Sequence, residues 1–101
     1  NFEESYDVTE DKINYRITRE LNTITLTLLN VKTLILPQGS ITVHDYKTGD
    51  YREMNICAIL TEDNPDFSIN LEKIINPNEF CVISILSKKY YCPLFSQQTI
   101  I

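Results

Sequence analysis

The chain has no tryptophan and only one histidine, one alanine, one methionine and two glycines in 101 residues, and these shortages exclude whole classes of function. With His44 alone, a histidine-based metal centre within one chain is ruled out, and a Ser-His-Asp relay would have to be built around that single side chain. Gly39 and Gly49 are too few for a glycine-rich loop that cradles phosphate. No apolar run approaches the roughly 20 residues that cross a bilayer, and no signal-peptide pattern opens the chain. The nine asparagines include no Asn-x-Ser/Thr sequon, which disfavours a secreted eukaryotic glycoprotein. Positive charge is also scarce. Nine Lys and Arg against fourteen Asp and Glu leave a net charge of −5, so neither nucleic acid nor an anionic membrane is an expected partner.

What is present is β-forming. Fourteen Ile, ten Leu, ten Thr and six Tyr supply branched and aromatic side chains that suit a pleated, half-buried surface. From Lys12 to Asn30 the pattern is nearly strict alternation. Ile13, Tyr15 and Ile17 alternate with Asn14, Arg16 and Thr18; after a break at Arg19–Asn22, Ile24, Leu26 and Leu28 alternate with Thr23, Thr25 and Thr27. This is a hairpin with one apolar and one polar face. Strands are expected at 12–18, 23–31, 33–36, 41–46, 51–60, 67–72, 79–86 and 90–95. Residues 1–11, rich in Glu and Asp, read as an acidic lead-in or connector to a single domain over 12–101.

The turns agree with this division. Pro37-Gln38-Gly39-Ser40 carries a preset φ at Pro37, and Gly49 is placed to take the left-handed position after a type I turn from Asp45. Thr61–Asp66 is the longest polar connection, Leu71–Ile75 suits either a strand end or one helical turn, and Pro93 marks an edge strand or a bulge. About eight short strands at this spacing predict an antiparallel two-sheet β-sandwich, jelly-roll or immunoglobulin-like. Immunoglobulin proper is disfavoured by the missing tryptophan.

Covalent chemistry finds no cluster to act through. The carboxylates of Asp45, Asp50, Glu62, Asp63 and Asp66 sit where turns ordinarily use them, no serine lies in a nucleophile-elbow pattern, and no catalytic, cofactor or metal residue is assigned. Cys57, Cys81 and Cys92 lack metal-ligand spacing and read as buried free thiols. The alternative is a Cys81–Cys92 bridge across a hairpin turning near Leu86-Ser87. Binding is better supplied. Tyr46 and Tyr51 flank one hairpin tip, Lys88 and Lys89 lie at another with Tyr90 and Tyr91 following it, and Phe67 ends the acidic loop of Asp63 and Asp66. With Asp45 these are the candidate contacts to a partner. Tyr90 and Tyr91, being adjacent, must point to opposite faces. Consecutive apolar residues at Val31–Leu36, Ile83–Leu86 and Ile100-Ile101 put apolar surface on both faces of their strands, which predicts a homo-oligomer.

In architecture the chain resembles the small β-sandwich head domains that end trimeric virus and phage fibres. The resemblance rests on its length, its strand pattern through Tyr90–Ile101, the acidic Asn1–Asp11 segment, the few glycosylation or catalytic features and an AT-rich coding bias seen in nine Asn and scarce Ala and Gly. It implies a non-enzymatic homotrimer at a virion surface that holds a protein or glycan receptor through the loops at 45–51, 61–67 and 87–91. Two alternatives remain open: an intracellular scaffold domain in the cytoplasm, and a carbohydrate-binding module with a groove at Tyr46, Tyr51 and Tyr90.

Overall fold

Alternation decides which side chains are buried. Tyr15, Ile17, Ile24, Leu26 and Leu28 are all under a tenth exposed, while the threonines between them stay at the surface edge of burial. The structure, a computed structural model, describes residues 3–30, 32–36, 41–54 and 58–95. Within them the strands are β1 (Glu3–Glu10), β2 (Ile13–Glu20), β3 (Thr23–Leu28), β4 (Thr33–Leu36), β5 (Ile41–Asp45), β6 (Tyr51–Met54), β7 (Ala58–Thr61), β8 (Asp66–Asn70), β9 (Glu79–Ile85) and β10 (Lys88–Pro93). All pairings are antiparallel. They form a sheet of order β1-β2-β3-β8, a second of order β10-β9-β5-β6, and a two-stranded ribbon of β4 and β7.

The all-β class stands as expected, with ten described strands in place of about eight. The acidic segment, expected as a lead-in, is β1, and Glu3 through Glu10 pair with β2 along their whole length. The expected strand 51–60 is two strands in different sheets. The break at 19–22 is shorter than the pattern suggested: β2 runs on to Glu20, and only Leu21-Asn22 form the loop. Leu71–Lys73 is a single 3₁₀ turn, capped by the Asn70 side chain, which accepts from Glu72 N. Pro93 lies on β10, an edge strand among the described residues, as proline in a sheet favours. The Pro37–Ser40 turn, Val31, Cys57 and Ile100-Ile101 lie outside the described residues.

The inward sides of both four-stranded sheets contribute to one apolar cluster. Ile41 and Val43 of β5, Cys81, Ile83 and Ile85 of β9, and Cys92 of β10 join the β2 and β3 residues, with Leu34 and Leu60 from the ribbon and Leu71 and Ile75 from the connection that follows β8. Each fully buried aliphatic side chain contributes about 1.5–3 kcal/mol. Three polar residues share this interior. Arg19 donates from Nε to Leu21 O at 2.9 Å and from Nη2 to Pro93 O at 2.5 Å, with Phe95 stacked on its guanidinium. Asn22 Oδ1 accepts from Phe95 N at 2.8 Å. Glu79 is the third.

Candidate binding face

The two outward sheet faces differ in chemistry. On the first sheet the outer face is a polar lattice: Ser5 with Thr18, Thr25 with Ser68, Thr9 with Asn14, and Arg16 paired to Asp7 at 2.8 Å. Such a face is satisfied by its own pairs and by water. The outer face of the second sheet carries rings. Register places Pro93, Phe80, His44 and Tyr51 in one row across the four strands, and Tyr91, Val82, Thr42 and Glu53 in the next.

Phe80 is the hub. Its ring stacks on His44 at 5.0 Å and 12°, and lies tilted against Tyr46 at 4.9 Å and Tyr91 at 5.0 Å; His44 in turn stacks on Tyr51 at 5.8 Å. These spacings fall in the favoured range for aromatic pairs. Tyr46, Tyr51 and Tyr91 are 55%, 69% and 58% exposed, so the face is built and yet open. The Tyr46 and Tyr91 hydroxyls are hydrogen-bonded at 2.5 Å, and that bond pushes the Tyr46 phenol up to about 12. The Thr42 hydroxyl meets His44 Nε2 at 3.1 Å.

A tight turn delivers the two tyrosines. Asp45 Oδ1 accepts from the backbone N–H of Lys47 and Thr48, and its Oδ2 accepts from Asn78 Nδ2 at 2.8 Å. The Thr48 bond foremost, then that of Lys47, holds the Asp45 carboxyl below its usual range. Gly49 takes φ +78, as expected, and donates to Asp45 O. Tyr46 thereby leaves the end of β5 to lean on Phe80, and Tyr51 returns on β6 opposite His44.

Of the expected contacts, Tyr46 and Tyr51 belong to this face. Asp45 builds the turn beneath it. Lys88 and Lys89 are exposed at the start of β10, with Lys89 on Tyr91's side by alternation. Tyr90 points the other way: its hydroxyl meets that of fully buried Tyr15 at 2.7 Å. Phe67 packs against the core, lining a gap with Leu26, Ile69 and Ile83. Asp63 is exposed on the connection between β7 and β8 and Asp66 is exposed at the first position of β8, in the first sheet and not the second. Tyr91, expected with Tyr90 on the 87–91 loop, is the member of that pair on this face, whereas Phe80 and His44 were missed as members of the site. Among the described residues no group of three or more His, Cys, Asp or Glu side chains is placed to hold a metal ion. No family model, curated protein or solved structure matches the chain.

Proposed function

We propose that the chain is a non-enzymatic binding domain, a two-layer antiparallel β-sandwich that holds a receptor on the outer face of β5, β6, β9 and β10. The observation that carries this reading is the aromatic row centred on Phe80, with three tyrosines more than half exposed around it. Rigid amphipathic rings provide contact area at low entropic cost, and their faces suit sugar C–H groups or an apolar peptide surface equally. A monomer with no partner gains little by placing them in water.

The receptor-holding head of a trimeric fibre, at a virion surface, is the setting that uses the remaining features. Ile35 and Ile59 face each other across the β4–β7 ribbon and are 61% and 58% exposed, an apolar pair that a neighbouring copy would cover. The carbohydrate-binding alternative uses the same aromatic face, with Tyr91 in the place expected for Tyr90.

The test has two parts. Light scattering coupled to size-exclusion chromatography, with and without reductant, is expected to give a reductant-insensitive trimer. A glycan array and a cell-binding assay are then run with the parent chain and with Tyr51→Ala/Tyr91→Ala. Binding that survives the double substitution overturns the assignment of this face, and a monomer overturns the fibre-head setting.

A further inference from the structure

The opposite side of the β9–β10 hairpin carries a feature that the binding face does not use. Cys81 and Cys92 are direct partners in the β9–β10 register, and both are buried free thiols at 0% and 1% exposure. Opposed residues on antiparallel strands have Cα atoms about 4.5–5.5 Å apart, inside the span of about 4.4–6.8 Å that a disulfide bridges. The register thus places the pair within the reach of a cross-strand disulfide.

The two sulfurs are not equivalent. Cys92, with Glu4, Tyr6, Arg19 and Tyr90, lines a cleft of about 230 Å³ beside the edge strand β10, whereas Cys81 lies behind it on the inner strand β9. The interaction with Cys81, and then the Arg19 charge, favour ionisation of the Cys92 thiol against the opposing effect of burial. Cys81 is pushed up, first by its bond to Cys92 and then by burial. An oxidant entering the cleft therefore meets Cys92 first, and Cys81, its register partner on the inner strand, is placed to resolve.

We propose that Cys81 and Cys92 are a reversible dithiol–disulfide pair, oxidised through the cleft by a low-molecular-weight disulfide such as glutathione disulfide, with Cys92 attacking and Cys81 resolving. The Cys92 thiolate forms a bond to one sulfur of glutathione disulfide, whose S–S bond breaks and releases one glutathione thiolate. Cys81 then loses its proton and attacks the Cys92 sulfur, breaking the mixed disulfide and expelling the second glutathione. Two protein thiols are oxidised, one glutathione disulfide is reduced to two glutathiones, and the two protons end on those leaving groups. The product pins the edge strand to its neighbour.

The experiment uses the full chain carrying Cys57→Ser, so that only these two thiols report. The folded protein is incubated without oxygen in glutathione disulfide, alkylated and weighed intact. The expected result is loss of two hydrogens with no retained glutathione, reversal by reductant, and a thermal midpoint raised by roughly 10 °C in the bridged form. Cys81→Ala is expected to stop at one glutathione on Cys92, and Cys92→Ala to gain none. Two alkylatable thiols persisting in the folded parent overturn the proposal whatever the variants do. So does an oxidation rate that equals the global unfolding rate across a urea series, since attack would then bypass the cleft.

Discussion

Glu79 is a buried carboxylate at the first position of β9, next to the hub of the aromatic face, and its removal has a calculable cost. Oε1 accepts from Asn76 N at 2.9 Å and Oε2 from Arg52 Nη1 at 2.8 Å, while Arg52 Nη2 donates on to Ile74 O at 2.7 Å. One side chain thus ties the connection before β9 to β6. A hydrogen bond to a charged group contributes about 1.5–3 kcal/mol when desolvated. The Arg52 end must be discounted to about 0–1 kcal/mol, because that side chain is 49% exposed and can turn to water. The Asn76 bond keeps most of its value, since Glu79→Ala would leave a backbone N–H without its acceptor. The sum is about 2–3 kcal/mol for Glu79→Ala. Glu79→Gln retains an acceptor for Asn76 and should cost about 1–2 kcal/mol. At roughly 4–8 °C per kcal/mol for a domain of this size, the alanine variant melts some 10–20 °C lower.

Acid supplies an independent check. The Asn76 bond first, and then Arg52, hold the Glu79 carboxyl below its ordinary range. The folded group therefore releases its proton at lower pH than the unfolded one, whose value is about 4.3. The stability it contributes is complete above that value and is lost as pH falls through the folded one. Urea melts of parent and Glu79→Gln at pH 7 and at pH 3 are the assay. The gap between them should narrow at pH 3. A gap below about 0.5 kcal/mol at pH 7, or one that does not change with pH, would refute the argument, because a desolvated charge-assisted pair can produce neither.

The loop between β1 and β2 has positive φ at both Asp11 (51°) and Lys12 (66°), so Lys12→Gly should remove a strain of about 1–2 kcal/mol, part of it offset by about 0.5–1 kcal/mol of glycine entropy. A thermal melt that falls instead of rising a few degrees would show that Lys12 carries no left-handed strain. Spectrophotometric titration of the tyrosines should lag in the parent relative to Tyr91→Phe, because Tyr46, held at about 12, loses its hydrogen-bond partner in the variant; superimposable curves would mean that the two hydroxyls do not bond. Ile59→Lys should dissociate the proposed trimer in light scattering with little change in the melt of the monomer, because the side chain is already 58% exposed. An intact oligomer would place the interface elsewhere.

Inner faces were legible in the sequence because burial imposes a strict period of two, and a one-residue error would expose every Ile and Leu of the strand at once. That is why Tyr15, Ile17, Ile24, Leu26 and Leu28 were placed correctly from alternation alone. Outer faces obey no such rule, so the aromatic row was seen through Tyr46 and Tyr51, whose turn announces itself, and through the Tyr90-Tyr91 pair without its outward member being assigned. The signal that assigns it was nonetheless present. Tyr90 shares parity with Cys92, and a cysteine inside an apolar strand is ordinarily buried, so Tyr90 had to face inward and Tyr91 outward. Phe80 follows from the same step, since it has opposite parity to Cys81. Phe67 was misplaced for the converse reason: beside an acidic loop it looked like a rim residue, but it shares parity with Ile69 and faces the core. Glu79 and Arg19 were beyond reach, because the backbone groups that satisfy them, at Asn76, Leu21 and Pro93, are defined only once the chain has folded.

This parity also links the two features of the β9–β10 hairpin. Tyr91 lies between Tyr90 and Cys92, and Val82 between Cys81 and Ile83, so every inward contact has an outward neighbour one residue away. The Phe80–Tyr91 contact at 5.0 Å depends on how closely β10 stays paired to β9 near its end, where, among the described residues, the strand has no hydrogen-bonded neighbour on its other side. A bond from Cys92 to Cys81 acts at that position. It would hold Tyr91 against Phe80, and through the Tyr46 hydroxyl it would hold the turn after β5 as well. Affinity for a ligand at the aromatic face should then be higher in the bridged form than in the reduced one, because less side-chain freedom is left to lose on binding. Equal affinities in the two forms would mean that the edge strand is already rigid without the bridge.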